Sequence, residues 1–250
     1  GPDNLQSTFT EENGDVREIN QKIQRAIHYI GGFEWDINRY LEVNIEGYIK
    51  DFRQLVNTNR NKIFDESNQN VPDELKNDFI IETGISKGVD FVIKYKQKNY
   101  DLWAVYSLGK STRYDGINSY APVFDRRHNM NIIGTYRFGE KDSWEVNVRW
   151  NYGSALPFTP NQGFAQLNAF PDGIDTDYVS ENPNSVYNQL GPLNSERLAD
   201  YHRMDINFKK VIEFKAKDQG LEINAGVTNV YSRENIFYVA RDTFEFVYQL

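Results

Sequence analysis

The sequence contains no cysteine, which excludes disulfide bonds, thiolate zinc sites and a cysteine nucleophile. It also has no run of about 18 apolar residues, so no transmembrane helix is predicted. Lys and Arg number 28 against 36 Asp and Glu, for a net charge of −8. This balance argues against a nucleic-acid partner, because binding one requires a basic face that displaces counterions. No signal peptide begins the chain at Gly1, and we expect the natural N terminus to lie upstream.

The residues that are present mix apolar and polar character on a fine scale. Hydrophobic residues make up 39% of the chain, yet its mean hydropathy is −0.68. Aromatic residues make up 14%, an excess that favours strands and membrane interfaces. Such a mixture is typical of β-strands with one apolar and one polar face. We therefore predict an all-β, antiparallel protein.

Alternation with a period of two residues locates the strands. In the clearest run, 144–152, apolar residues occupy one face, and Glu145, Asn147, Arg149 and Asn151 occupy the other. This pattern is typical of a strand with one wet face. It predicts about eight strands in four hairpins, over 27–37 with 41–50, 81–96 with 102–108, 129–138 with 144–152, and 203–214 with 221–227.

The predicted connections alternate between short and long. Each hairpin closes with a short turn, whereas long polar segments over 57–78, 111–126 and 155–200 join one hairpin to the next. All short turns then lie at one end of the sheet, as the periplasmic turns of outer-membrane barrels do. Five prolines in 155–200 lead us to expect no regular strand there.

Alternation alone does not separate a membrane barrel from a soluble antiparallel sandwich or lipocalin-like barrel, whose apolar face points inward. Two features favour the membrane barrel. One is the short–long asymmetry of the connections. The other is a set of aromatic residues that flank the short turns, where a girdle at the membrane interface belongs, at Trp35, Tyr40, Tyr95, Tyr100, Phe138 and Trp144.

Several segments resemble TonB-dependent outer-membrane receptors of the Bacteroidota type. They are AIHYIGGFEWDINRYLEVNIEGYIKDFRQL (26–55), PVFDRRHNMNIIGTYRF (122–138), WNYGSALPFTP (150–160), RLADYHRMDINFKK (197–210) and EINAGVTNVYSRENIFY (222–238). The resemblance implies a transmembrane β-barrel of 22 strands around an N-terminal plug, energised through TonB. The chain is then expected to be a C-terminal fragment: a polar loop segment over 1–21 and a partial barrel over 22–250 that lacks the plug and the final strand.

The polar sides of the predicted strands carry the candidate binding residues. Six residues at lumen-facing or loop positions are candidates for contact with a solute: Asn131, Arg149, Asn151, Tyr178, Arg203 and Asp205. The alternative is structural: inward charges form cross-strand pairs that set the register. The same alternative applies to the cluster Asp125-Arg126-Arg127-His128. The acidic residues of 172–177 suit Ca²⁺, but they do not follow an EF-hand register.

Catalysis and metal binding are not expected. His28, His128 and His202 lack ligand spacing, and no serine lies in a glycine-flanked elbow. No cofactor is predicted.

The resemblance implies active import of a large scarce solute, such as a siderophore, cobalamin, glycan or peptide, across the outer membrane of a Gram-negative cell. A passive porin or structural barrel and a soluble ligand-binding β-protein are the alternatives. The expected partners are outer-membrane lipid, TonB acting through the plug region, and a surface lipoprotein.

Overall fold

The chain folds as a series of antiparallel β-strands. The computed structural model describes residues 4–10, 16–60, 79–166, 186–214, 219–241 and 246–249. The strands are β1 (Asn4–Thr10), β2 (Val16–Lys22), β3 (Arg25–Asn38), β4 (Leu41–Thr58), β5 (Phe79–Gln97), β6 (Tyr100–Tyr114), β7 (Ser119–Tyr120), β8 (His128–Phe138), β9 (Trp144–Gly153), β10 (Pro157–Phe158), β11 (Asn161–Gln166), β12 (Val186–Leu190), β13 (Glu196–Arg197), β14 (Tyr201–Phe214), β15 (Gln219–Val227), β16 (Tyr238–Arg241) and β17 (Phe246–Gln249).

One large sheet organises the molecule. Its order is β15-β14-β9-β8-β6-β5-β4-β3, and β7 pairs with β6 at one end. Every neighbouring pair is antiparallel. The four predicted hairpins are four successive pairs of this sheet, so the all-β antiparallel prediction is confirmed. Among the described residues the sheet is open, with β3 and β15 at its edges, and the predicted total of 22 strands stays a prediction.

The connections are as asymmetric as the sequence predicts. Residues 39–40 join β3 to β4, 98–99 join β5 to β6, and 139–143 join β8 to β9. At the other end, 59–78, 115–127 and 154–200 connect the hairpins. We call these two ends of the sheet the short-turn end and the long-loop end.

The two faces of the sheet differ in chemistry. On β9, Trp144, Val146, Val148 and Trp150 belong to the apolar face, and the intervening residues belong to the polar face. Cross-strand pairing extends this division, since residues directly opposite each other share a face: Val148 pairs with Ile206 on β14.

Among the residues that the structure describes, no second layer covers the apolar face. Trp35 is 60% exposed, Phe208 is 50% exposed and Trp144 is 42% exposed. Within the described ranges, Tyr120 is the sole buried large hydrophobic side chain. A soluble sandwich buries such a face, because each apolar side chain gains about 1.5–3 kcal/mol on leaving water. The exposure of this face therefore differs from the packing of a soluble sandwich.

Aromatic rings line the short-turn end of the apolar face. Tyr100 stacks on Tyr136 with ring centroids 4.6 Å apart. The series continues through Phe138, 5.5 Å from Tyr136, to Trp144, 6.2 Å from Phe138. The Lys210 ammonium lies 4.5 Å from the Trp144 ring. We call this series the aromatic ladder, and it lies where the sequence predicts an interface girdle.

Three segments differ from their predictions. The polar segment 1–21, expected to be a loop, contains the hairpin β1–β2, because its polar residues pair through backbone groups from Asn4↔Lys22 to Thr10↔Val16. The proline-rich segment 155–200 contains β10 to β13. Pro157 fits β10 because a two-residue strand with one partner does not need its missing N–H. The hairpin β16–β17 was not predicted.

Among the described residues, no helix has the length and apolar character needed to cross a membrane.

Candidate functional site

Five of the six predicted site residues lie together on the polar face. Asn131 on β8 pairs with Asn151 on β9, and Asn151 pairs with Arg203 on β14. In the next row, Arg149 pairs with Asp205. We call these five residues the polar patch. Tyr178, the sixth, lies outside the described residues, as do the acidic residues of 172–177.

One ion pair of the polar patch forms along a strand rather than across strands. Arg149 is directly opposite Asp205, but Arg203 Nε donates to Asp205 Oδ1 at 2.7 Å. The same oxygen accepts a hydrogen bond from the Asn229 N–H at 2.9 Å. Asp205 therefore anchors the segment that follows β15 onto the polar face.

The other members of the polar patch have free polar groups. Asn131 and Asn151 are half-buried, and Arg149 is exposed. Within the part of the chain that the structure describes, none of the three makes a side-chain hydrogen bond or ion pair. Two amides and a guanidinium on one face suit a ligand with acceptor oxygens, because Arg presents a planar fork of donors.

Trp103 belongs beside this patch and was not singled out in the sequence. It pairs with Ile133, which itself pairs with Arg149, and it is 51% exposed. Alternation along 102–108 already places Trp103 on the polar face, opposite to Leu102 and Ala104. An exposed indole there offers a flat surface for stacking in the same row as Arg149, with Ile133 between the two residues.

Towards the short-turn end the polar side chains bond mainly to one another, although Asp101 Oδ1 is buried without a hydrogen-bond partner. Arg137 bonds to Asp101 at 2.7 Å and to Glu145 at 2.9 Å. Asn147 accepts from Thr135 at 2.6 Å and donates to Glu145 at 2.8 Å. These residues form cross-strand pairs that support the register, so the structural alternative applies to this part of the face.

A buried carboxylate lies at the long-loop end. Glu82 on β5 is 0% exposed. Its carboxylate accepts hydrogen bonds from Asn57 at 3.0 Å and Arg60 at 3.2 Å, and Arg113 lies 3.5 Å away. Tyr120 completes this group, which we call the Glu82 cluster. The sequence places Glu82 on the polar face but carries no signal for its burial, since the partners come from separate strands.

The Glu82 cluster extends to the loop after β6 through Arg60, whose guanidinium lies 3.4 Å from Asp115. Partial burial by itself raises the pKa of Asp115. The N–H groups of Asn118 and Ile117, at 2.7 and 2.9 Å, and the Arg60 charge outweigh burial. Together they hold the pKa of Asp115 below its ordinary value.

A second buried carboxylate, Asp125, joins two long loops. It is 2% exposed, and it accepts from Arg197 at 2.5 Å and from the Ser111 N–H at 2.7 Å. Arg197 also donates to the Ala155 carbonyl at 2.9 Å. In the predicted cluster at 125–128, Asp125 therefore has the structural role.

The histidines are paired with aromatic residues. His128 Nδ1 lies 2.8 Å from the Tyr106 hydroxyl, and His202 Nδ1 lies 2.9 Å from the Tyr231 hydroxyl. The ring of His28 lies edge-on to Phe52. In the described ranges, no serine, histidine and carboxylate side chains form a hydrogen-bonded triad.

Three carboxylates meet near the first short turn. Ligand oxygens of Glu34, Asp36 and Glu42 lie within 4.8 Å of one another. Lys94 donates to Glu42 at 2.5 Å, so the protein already supplies a cation to this cluster. That the protein uses no metal ion stays a prediction.

Comparisons with known proteins concern the fold. No protein-family model matches the sequence, and no curated protein matches it. A chain in the structure of the FpvAI–pyocin S2 complex aligns with 91% of this chain at 12% identity and a TM-score of 0.58. The pyoverdine outer-membrane receptor FpvA from Pseudomonas aeruginosa PAO1, solved with bound pyoverdine, aligns with 98% at 11% identity and a TM-score of 0.56.

This chain spans 27% and 31% of the lengths of those two chains. At such low identity the likeness concerns the architecture, and it agrees with the uncovered apolar face and the asymmetric connections. The chain has the fold of part of the β-barrel of an outer-membrane receptor.

Proposed function

We propose that this chain forms part of the barrel wall and outer loops of a TonB-dependent receptor that imports a large scarce solute across the outer membrane. The observation that carries the proposal is the apolar face of the main sheet, which no second layer covers within the described ranges. Lipid is the neighbour that makes such a face stable, because in water a large apolar patch promotes aggregation. The fold shared with outer-membrane receptors supports the same conclusion.

The polar patch and Trp103 are the proposed lumenal contacts for the solute or for a plug. Arg149, Asn131 and Asn151 keep free donors on this face. A guanidinium, two amides and an indole fit an oxygen-rich solute such as a siderophore or glycan. Cobalamin and a peptide are the other candidate solutes. Tyr178 is a proposed loop contact.

The proposed partners follow from the same assignment. Outer-membrane lipid contacts the apolar face, and TonB acts through a plug region of the complete receptor. The resemblance to Bacteroidota receptors adds a surface lipoprotein as a partner. A passive porin differs from this proposal in one measurable respect, since diffusion through a porin needs no energy.

Cysteine labelling tests the barrel assignment. The chain has no native cysteine, so Val148→Cys and Asn147→Cys each carry a single thiol, on the apolar and the polar face respectively. In protein reconstituted into lipid vesicles, we expect a water-soluble maleimide to react with Asn147→Cys. A lipid-soluble nitroxide should instead broaden the signal of a label at Val148→Cys. Fast aqueous labelling of both positions contradicts the proposal.

Uptake measurements test active import. Cells that express the complete receptor should accumulate the solute only while the inner-membrane gradient and TonB are intact. Equal uptake after the gradient is collapsed indicates the porin alternative.

A further inference from the structure

A groove on the apolar face has a floor of glycine. Gly31 on β3 and Gly47 on β4 are directly opposite each other. A Cβ atom on Gly31 would meet no atom within 4 Å, and one on Gly47 would meet nothing closer than 3.8 Å. The glycines therefore leave open space above two strands, in a groove of about 800 Å³.

The pairing register shows on which face the groove opens. Gly47 pairs with Val89, and Val89 pairs with Leu108. Val89 and Leu108 alternate with Asp90 and Ser107 and so belong to the apolar face. Tyr29 and Ile49, the next pair along β3 and β4 on that face, are 59% and 49% exposed. The walls and floor of the groove are thus apolar and face outward.

Two lysines lie at the rim of this groove. Lys87 pairs with Ile49 on one side and with Lys110 on the other. Both lysines are exposed and line the groove. In the described part of the chain neither forms an ion pair. Like charges directly opposite each other in a sheet destabilise it, so an anion between the two ammonium groups would be stabilising.

The nearby charged groups are already paired. On the same face, Asp51 lies one row beyond the lysines, opposite Ile85, and it bonds to Arg53 at 2.6 Å. Arg127, at the far side of the groove, lies 3.8 Å from Asp125. Lys87 and Lys110 therefore remain the available cations.

The position of the lysines along the strand matches a membrane interface. Tyr100, in the aromatic ladder, and Lys110 are both on β6 and lie ten residues apart. Ten residues extend about 33 Å along a strand, or about 25 Å along the axis of a barrel whose strands tilt by about 40°. An apolar band is about 25 Å tall. If the aromatic ladder marks one interface, the lysines mark the other, on the long-loop side.

We infer that the groove binds one phosphate-bearing lipid of the outer leaflet. Its phosphate lies between the ammonium groups of Lys87 and Lys110, and an acyl chain lies over Gly31 and Gly47, against Ile49. The lysines supply charge at the depth where a lipid head group lies, and the glycine floor supplies room for a chain. This inference rests on the proposed membrane barrel.

Native mass spectrometry of the complete receptor in a non-ionic detergent tests the inference. The probes are diphosphorylated lipid A, the same lipid without phosphates, and inorganic phosphate. We expect a retained adduct with the phosphorylated lipid alone. Lys87→Gln combined with Lys110→Gln should weaken it about 30-fold, since each basic residue contributes about 1 kcal/mol at an anionic lipid surface.

Two further variants separate charge from shape. Gly47→Leu places a side chain in the groove, where a Cβ atom on Gly47 meets nothing closer than 3.8 Å, and it should weaken binding of the lipid while both lysines remain. Lys50→Gln is the matched control, because Lys50 lies at a similar height on the polar face, where it pairs with Ser86. We expect it to leave binding unchanged.

Three results overturn the inference: equal binding of the dephosphorylated lipid, equal binding of inorganic phosphate, or equal loss in Lys50→Gln. The labelling of Val148→Cys and Asn147→Cys distinguishes the failures. If this labelling supports the barrel while the combined variant Lys87→Gln and Lys110→Gln still binds the lipid normally, only the lipid site is wrong. If Val148→Cys reacts from water, the barrel itself is wrong.

Discussion

The Tyr120 hydroxyl lies 2.8 and 2.7 Å from the two carboxylate oxygens of Glu82, although 38 residues separate them along the chain. Tyr120 belongs to the two-residue strand β7, which pairs with the end of β6, and Glu82 belongs to β5. The contact holds a long connection against the rim of the sheet. Because the Glu82 carboxylate is fully buried, its charge depends on this contact and on Arg60 and Arg113 for stabilisation.

Removal of the Glu82 carboxylate should destabilise the long-loop end. Glu82→Ala leaves Arg60 and Arg113 without their shared acceptor, at a cost of about 2–3 kcal/mol, less than for a fully buried pair because both arginines are partly exposed. Tyr120→Phe removes one donor and should cost about 1 kcal/mol. Urea unfolding in detergent measures both. If the stability of Glu82→Ala equals that of the unmodified protein, the structural role of the Glu82 cluster is contradicted.

A charge placed on the apolar face should lower the folding free energy in lipid, whereas the same charge on the polar face should leave it nearly unchanged. Ile206 and Asn207 are consecutive on β14 and face opposite sides. Ile206→Arg should lose about 2–4 kcal/mol of folding free energy in lipid, as lipid-facing charges do near the middle of a membrane. Asn207→Arg, its matched control, should change stability by less than about 0.5 kcal/mol. Folding into vesicles from urea provides the measurement; similar losses for both variants argue against a lipid-facing side.

The two arginines of the polar patch should respond differently to truncation. Arg203→Ala deprives Asp205 of its ion pair and should cost about 1 kcal/mol of stability, a modest value because both side chains are partly exposed. Arg149→Ala removes no hydrogen bond or ion pair among the described residues, only a Coulombic attraction to Asp205, and should change stability by less than about 0.5 kcal/mol while it reduces solute uptake. Arg149→Lys keeps the charge but loses the planar fork, so partial uptake is expected. Full uptake by Arg149→Ala excludes this residue from the binding surface.

Acid should weaken the loop that Asp115 organises. The pKa of Asp115 is held below its ordinary value of 3.8, so the folded state favours the carboxylate. The resulting stability is present above the unfolded-state pKa and is lost as the pH falls through the lower pKa of the folded state. The unfolding temperature of the unmodified protein should therefore fall more between pH 5 and about pH 3 than the unfolding temperature of Asp115→Asn. Equal drops contradict the role of Asp115.

The positions of the main strands could be predicted because alternation is a local property. Each residue of β9 faces the side opposite to its neighbours whatever the rest of the chain does, so the division between Val148 and Arg149 was visible in the sequence. The same holds for the short turns, which are bounded by the strands they join. The pairing of β10 with β13 was missed because each strand pairs over two residues, too few for any period to appear.

The functional candidates show the same limit. The sequence placed Asn131, Arg149 and Asp205 on polar sides of different strands, but it did not reveal that Arg203, rather than Arg149, binds Asp205. Nor did it reveal that Lys87 is opposite Lys110 or that Gly31 is opposite Gly47. Register depends on how separate strands align, and one residue of shift moves every side chain to the other face.

The sequence by itself determined the strands, the side to which each of their residues points, and the contrast between short and long connections, because these depend on the backbone geometry of neighbouring residues. The tertiary structure alone decided which residues of distant strands became neighbours. These neighbours follow from the pairing of whole strands through backbone hydrogen bonds, whose pattern is the same for every side chain and so leaves no mark in any single segment.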